Sequence, residues 1–259
     1  FVDVFVSTLG ENHLFKNVDG ERFIETTSEV GVAGDLDVWS TSAAFIDYDR
    51  DGDLDLFVCN YISWSPEIDR EVDYRLTGIG RAYGPPTDFA GMDSYLYRND
   101  SGPGGTRFTD VSGHAGIQVA HETTGQPVGK ALAVHPMDVN SDGWLDLVVA
   151  NDTVRNFLFL NERDGHFREV GIESGLAFDT SGLATGAMGI DAAYFANDSR
   201  LAIAIGNFAN EMSSFYVSRS GQTVFSDDAI IAGVGAQSRR ALTFGLAFLD
   251  VFGVRLVAL

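Results

Sequence analysis

Residues 47–55 read Asp-Tyr-Asp-Arg-Asp-Gly-Asp-Leu-Asp and residues 138–146 read Asp-Val-Asn-Ser-Asp-Gly-Trp-Leu-Asp, one spacing of oxygen-bearing side chains around one glycine, used twice. Calcium takes about six to eight oxygen ligands at roughly 2.3–2.6 Å, so a short loop must turn sharply, aim alternate side chains inward and lend a backbone carbonyl. The first stretch offers the side chains of Asp47, Asp49 and Asp51, the carbonyl of Asp53 and a closing carboxylate from Asp55, with Gly52 at the bend. The second offers Asp138, Asn140, Asp142, the carbonyl of Trp144 and Asp146, with Gly143 at the bend. Without a cation the five carboxylates of the first loop would repel one another. The expectation is two Ca2+ sites, the second with less ligand charge because Asn140 replaces an aspartate.

The elements around these loops are strands. An EF-hand opens in a related way but closes on a glutamate at position twelve between two helices. Here Asp55 runs into Leu-Phe-Val-Cys and Asp146 into Leu-Val-Val-Ala, short apolar runs of buried-strand type. A decayed loop starting at Tyr194 and a shorter one at Asp250 give two steps of 56 residues, from 138 to 194 and from 194 to 250. The step from 47 to 138 is 91, an excess of 35 that falls at about 60–94, a stretch of little periodicity carrying Trp64, Pro66, Pro85 and Pro86 and read as an insertion loop. Without it 224 residues remain, four units of 56. The interior repeats as well. One strand recurs at 12–17, 93–99, 156–161 and 213–218, followed by a glycine turn and a strand containing Phe23, Phe108, Phe167 or Phe225. A small apolar step follows at Gly31, Gly116, Gly175 and Gly233. Four short strands per unit describe a propeller blade. The fold expected is all-β, a β-propeller or propeller arc over 1–259 built from four-stranded blades with calcium loops.

The two loops, Leu96-Tyr-Arg-Asn99, Val149-Ala-Asn-Asp152 and Gly206-Asn-Phe208 resemble the FG-GAP/VCBS repeat family, which includes the integrin α-chain headpiece. The resemblance is closest to the cartilage-acidic-protein-like branch found beside an ASPIC/UnbV domain. It implies a propeller with calcium between the first two strands of a blade, outside the cytoplasm, at the cell surface or in a periplasm. Metal binding carries over only to the two intact loops. In the third unit Asp198 is the one carboxylate at a ligand position, with Tyr194, Ala196 and Ala202 at the others, and in the fourth Asp250 stands alone. Those units are expected to fold without calcium; Asp191, just upstream of the third, is the one residue that could reach back to it.

With 37 acidic against 17 basic residues and a net charge of −20, the chain would be repelled by a nucleic-acid backbone. Cys59 is the only cysteine, which excludes an internal disulfide and reads as a strand thiol rather than a nucleophile. No apolar run is long enough to span a membrane. Residues 1–6 match the strand after a calcium loop, and the chain stops partway through a unit. An arc cut from a larger ring, an arc that adds strands to a neighbouring copy, and a ring closed by pairing 244–250 with 1–7 are the alternatives.

Enzyme signatures are weak: the five histidines show no metal spacing, there is no Gly-x-Ser-x-Gly elbow, and the densest carboxylate pairs are committed to the loops. Aromatic residues such as Trp39, Tyr61, Tyr95 and Tyr97 belong to packing, whereas Trp64 and Tyr83 lie in the unique insertion and are the candidates for partner contact. Asn99, Asn151 and Asn197 begin Asn-x-Ser/Thr sequons. The function expected is a calcium-binding adhesion or self-assembly module that contacts other proteins or copies of itself. A carbohydrate-binding, lectin-like module is the alternative, and a propeller enzyme a more distant one.

Overall fold

The computed structural model describes residues 1–196, 198–219, 223–251 and 254–258. Its strands follow the repeat. β1 (Val4–Val6), β2 (His13–Val18) and β3 (Arg22–Glu25) form a three-stranded sheet that leads into the one-turn helix α1 (Thr27–Val30). β4 (Val38–Ile46) and β5 (Asp55–Ser63) flank the first acidic loop, and after the insertion β8 (Tyr95–Asn99) and β9 (Phe108–Asp110) complete an antiparallel sheet in the order β4-β5-β8-β9. The insertion holds α2 (Pro66–Val72) and a small hairpin of β6 (Arg75–Leu76) and β7 (Gly80–Arg81).

Two further four-stranded antiparallel sheets follow. The first comprises β10 (Ala131–Met137), β11 (Asp146–Asn151), β12 (Phe157–Asn161) and β13 (Phe167–Glu169), and α3 (Gly171–Ser174) comes after it. The second comprises β14 (Ala187–Tyr194), β15 (Leu201–Asn207), β16 (Ser214–Ser218) and β17 (Phe225–Asp227), followed by α4 (Gly235–Ser238). β18 (Ala247–Val251) and β19 (Val254–Ala258) pair with each other.

Alternation on the second strands holds the sheets together. Successive side chains of a strand point to opposite faces, so a strand buried on both faces reads as a continuous apolar run. In β5, Leu56 and Val58 pack toward the first sheet while Phe57 and Cys59 pack toward the third. In β11, Leu147 and Val149 join Phe57, and Val148 and Ala150 face the other way to meet Ile203 and Ile205 of β15. Ala202 and Ala204 turn instead to Phe215 and a last cluster that includes Phe248. The core is thus a row of apolar layers, one between each pair of neighbouring sheets. The first strands β4, β10, β14 and β18 lie side by side in chain order, as the inner strands of successive blades do.

Ile203 is fully buried in the layer between β11 and β15. Ile203→Val is expected to cost about 0.5–1.5 kcal/mol, read as a shift in urea midpoint with unchanged slope.

Three details depart from the sequence reading. One-turn helices lead into the small apolar steps at Gly31 and Gly175, too short for a 3.6-residue period to declare, and these glycines end α1 and α3 in the left-handed region at φ 87 and 81. The insertion is not a featureless loop. α2 starts where the Ser65 hydroxyl accepts the Ile68 N–H at 3.2 Å with Pro66 at the first helical position. Among the described residues β1 pairs only with β2 and β18 only with β19, so no ladder joins residues 1–7 to 244–250. The Asp250 side chain, Gly221 and Asn197 lie outside what the structure describes.

Candidate metal centre

Both acidic loops sit between the first two strands of a sheet, where the chain must reverse direction after β4 and after β10. The reversal uses the same backbone states in each. Arg50 and Ser141 adopt φ 61 and 59, and two residues on Gly52 and Gly143 adopt φ 95 and 88. Glycine takes that conformation without the penalty a Cβ would bring.

The closing aspartates are the deepest members. Asp55 and Asp146 have no exposed surface. Asp55 accepts the Tyr48 N–H at 3.1 Å and the Asn99 N–H at 2.8 Å, one on each oxygen. Asp146 accepts the Val139 N–H at 2.9 Å and the Asn161 N–H at 2.8 Å in the same way. Burial pushes both carboxyls up to about 6, against the pull of those amides. Asn99 and Asn161 also reach back through Nδ2 to the carbonyls of Leu54 (2.9 Å) and Leu145 (3.3 Å). This repeated asparagine clasps the loop to the third strand. Sequence reasoning noted it as a strand element but not in that role; its recurrence at the end of both third strands was the available signal.

From there the loops diverge. In the first, Asp47, Asp49 and Asp55 bring carboxylate oxygens within 4.8 Å of one another. The Asp47 Oδ1 atom is buried with no hydrogen-bond partner, a state that costs free energy unless something else satisfies it. Burial and the neighbouring Asp51 charge raise the Asp49 carboxyl. Asp51 is exposed and donates its own N–H to Asp49 at 3.3 Å, while Asp53 donates to Asp51 Oδ1 at 2.9 Å. The nearby arginines are occupied elsewhere: Arg98 pairs with Asp100 at 2.8 Å, and the Arg50 guanidinium lies 5.3 Å above the Trp144 ring. The residues present therefore fit a hard divalent cation, with Asp47, Asp49 and Asp55 as its nearest ligands.

The second loop does not fit one in the same way. Asp138 accepts the amides of Asp142 (3.0 Å) and Gly143 (2.8 Å), one on each oxygen, and Asn140 Oδ1 accepts Asp142 N–H at 3.0 Å. Asp142 accepts the Trp144 N–H at 2.9 Å, the Asn140 amide at 2.9 Å, and the Arg163 guanidinium at 2.7 and 3.1 Å. Against the desolvation that would raise it, the Trp144 amide and Arg163 hold the Asp142 carboxyl below its usual range. Among the described residues, Asp138, Asp142 and Asp146 are not gathered as the first loop's three are.

The third loop lacks a carboxylate set. Asp198 pairs with Arg200 at 2.8 Å on the surface, and Ala202, at the closing position, is buried. Asp191 does not reach back. It accepts the Phe248 N–H at 2.7 Å and the Ala192 N–H at 2.9 Å, tying β14 to β18.

The first loop is locked to the neighbouring sheet. Asn161 Nδ2 donates to the Tyr48 carbonyl at 2.8 Å, and the Tyr48 ring stacks on Phe167 at 5.8 Å. Order in this loop is thereby order at the interface between two sheets.

Trp64 and Tyr83 converge, though they are 19 positions apart. Trp64 packs edge-on against Trp39 at 5.8 Å, and Trp39 against Tyr61 at 5.8 Å. With Tyr83 and Phe89 they line a cleft of about 450 Å³. Asp69, ion-paired to Arg81, lies at its wall, and the Tyr61 hydroxyl donates to the buried Asp152 behind it. Buried Lys130 donates to the Pro86 carbonyl at 2.6 Å and pins the insertion to the β10 sheet. Of the sequons, Asn151 is fully buried and Asn99 serves as a clasp. Cys59 is fully buried, and burial pushes its thiol far up, which leaves it inert.

Residues 138–205 match the family model for the FG-GAP-like repeat. The matched segment begins on Asp138 and ends in β15, so the FG-GAP-like repeat covers the second acidic loop, the three later strands of its sheet, the decayed third loop, β14 and most of β15. No curated protein matches the chain. Among the described residues no helix is long and apolar enough to cross a membrane.

Proposed function

We propose that this chain is a calcium-stabilised propeller module that acts outside the cytoplasm in protein contact or assembly rather than in catalysis. The observation that carries the calcium reading is the buried, unpartnered Asp47 Oδ1 on a carboxylate gathered with those of Asp49 and Asp55. Bound there, calcium supplies the charge that these carboxylates otherwise lack. Asp47, Asp49 and Asp55 hold it, and Asn99 and Tyr48 hold Asp55 in place through their amides. The contact role is supported by the FG-GAP-like repeat and by the first sheet, where Val4, Val6, Phe23 and Ile24 are all exposed. The Leu96–Asn99 element and the doubled loop favour the cartilage-acidic-protein-like branch. A pull-down or light-scattering series with and without chelator tests the contact role. Assembly or partner capture that falls with calcium removal supports it, and contact indifferent to calcium counts against it.

A second reading is favoured by the cleft. Five aromatic side chains and a balanced Asp69–Arg81 pair suit a neutral sugar ring, which stacks its C–H face on aromatic rings and hydrogen-bonds vicinal hydroxyls. Both nearby carboxylates are already engaged, Asp69 in an ion pair with Arg81 and Asp152, behind the cleft, as acceptor of the Tyr61 hydroxyl, which speaks for binding over acid–base chemistry. On this reading Trp64→Ala and Tyr83→Ala each weaken glycan-array binding at least tenfold while leaving calcium stabilisation intact. Undiminished glycan signal in both variants would sink it.

A further inference from the structure

We infer that the second acidic loop is charge-balanced by Arg163 instead of calcium, so that the chain binds one calcium ion and holds a second, latent site closed by a single guanidinium. The inference rests on reading the first loop as a calcium site only for the count of one.

The two loops share backbone states, burial of the closing aspartate and the asparagine clasp, so their difference lies in the number of inner carboxylates and in what meets them. In the second loop that group is Arg163, donating through Nε and Nη2 to Asp142 Oδ2 at 3.1 and 2.7 Å. Its origin is positional. Arg163 stands two residues past the clasp Asn161, and its N–H donates to Asn161 Oδ1 at 2.9 Å. In the first loop's sheet the residue two past Asn99 is Ser101, whose N–H makes the same bond to Asn99 Oδ1 at 3.1 Å. Ser101 has no cation to offer. Separately, the first loop leaves Asp47 Oδ1 without a partner, whereas in the second loop backbone amides meet both Asp138 oxygens and both Asp142 oxygens are engaged, one of them by Arg163.

The charge ledger agrees. The second loop carries three carboxylates where the first carries five, because Asn140 and Trp144 stand where the first has Asp49 and Asp53. One guanidinium in a two-bond fork offsets a larger share of the smaller charge, and Arg keeps its charge at any physiological pH. Calcium entering the second loop would have to displace Arg163 from Asp142, whereas in the first loop it meets oxygens already gathered. The Arg163 side chain is 55% exposed against 11% for Asp142, so it reaches in from solvent and can leave without opening the core.

Calorimetric titration of the full chain with calcium chloride, after chelator treatment and desalting, tests this. Wild type should bind one ion, Arg163→Asn should bind two, and Arg163→Lys, which retains the charge, should stay at one. Asn suits the left-handed backbone at this position, φ 67, and Arg163→Gln repeats the measurement should Asn perturb the fold. Two ions in wild type, or one in both neutral variants, overturns the inference while leaving the first-loop reading untouched. No ion in wild type but one in Arg163→Asn overturns the first-loop reading and leaves this inference standing.

Discussion

Chelation is expected to lower the melting temperature by about 8–16 °C. A ligand that binds only the native state adds about 4 kcal/mol when its free concentration is about 1,000 times the dissociation constant, and in a chain of this size 1 kcal/mol moves the midpoint by about 2–4 °C. The loss should be cooperative, because the first loop is joined to the next sheet through Asn161, Tyr48 and Phe167. Asp47→Asn and Asp49→Asn should fall to near the chelated midpoint and no longer respond to chelator. In chelator they should melt slightly above wild type, since each removes one of the charges that repel in the ion-free loop. Scanning calorimetry of the three proteins, with and without chelator, reads both signs.

Stability should rise on acidification in chelator and stay nearly level in calcium. Asp55 and Asp146 have native carboxyls pushed up to about 6 by burial, against about 3.9 in the unfolded chain. The native state therefore binds protons more readily. Each group's contribution is fully present below about pH 4 and is lost as pH rises through about 6. Moving from pH 7 to pH 4.5 should recover about 2 kcal/mol per carboxylate, out of about 3 kcal/mol for the full pKa gap at 1.36 kcal/mol per unit. With calcium bound, protons compete for Asp55 and the ion leaves as pH drops below about 6, so the calcium and chelator curves should converge toward pH 5. Urea titrations at pH 7, 6, 5 and 4.5 with each additive check it. Parallel curves would remove Asp55 from the site.

Much of this was legible in the residues because chemistry with a short sequence range leaves a local mark. Alternate oxygens around Gly52 and Gly143 fix the loops, and the apolar runs after Asp55 and Asp146 are the buried second strands whose two faces feed two cores. What sequence reasoning missed depends on longer range or weaker pattern. Arg163 acts on Asp142 from the next hairpin, 21 positions away, so no spacing within the loop reveals it. Asp191 looked free to serve the third loop, yet its partner is an amide 57 positions on, at Phe248. The helix α2 is seven residues long, and beyond its Ser65-Pro66 start only the single apolar pair Ile68 and Val72, four positions apart, could have marked it. The aromatic cleft forms because an edge-on Trp39 bridges Tyr61 and Trp64, a contact that repeat spacing does not encode.

The most direct test is a long-wavelength anomalous difference map from crystals grown in calcium. The account predicts a peak bounded by Asp47, Asp49 and Asp55, within about 2.3–2.6 Å of their oxygens, and Arg163 still seated on Asp142. A first loop with no peak, and with Asp47 Oδ1 turned to solvent or to a protein donor, would contradict it.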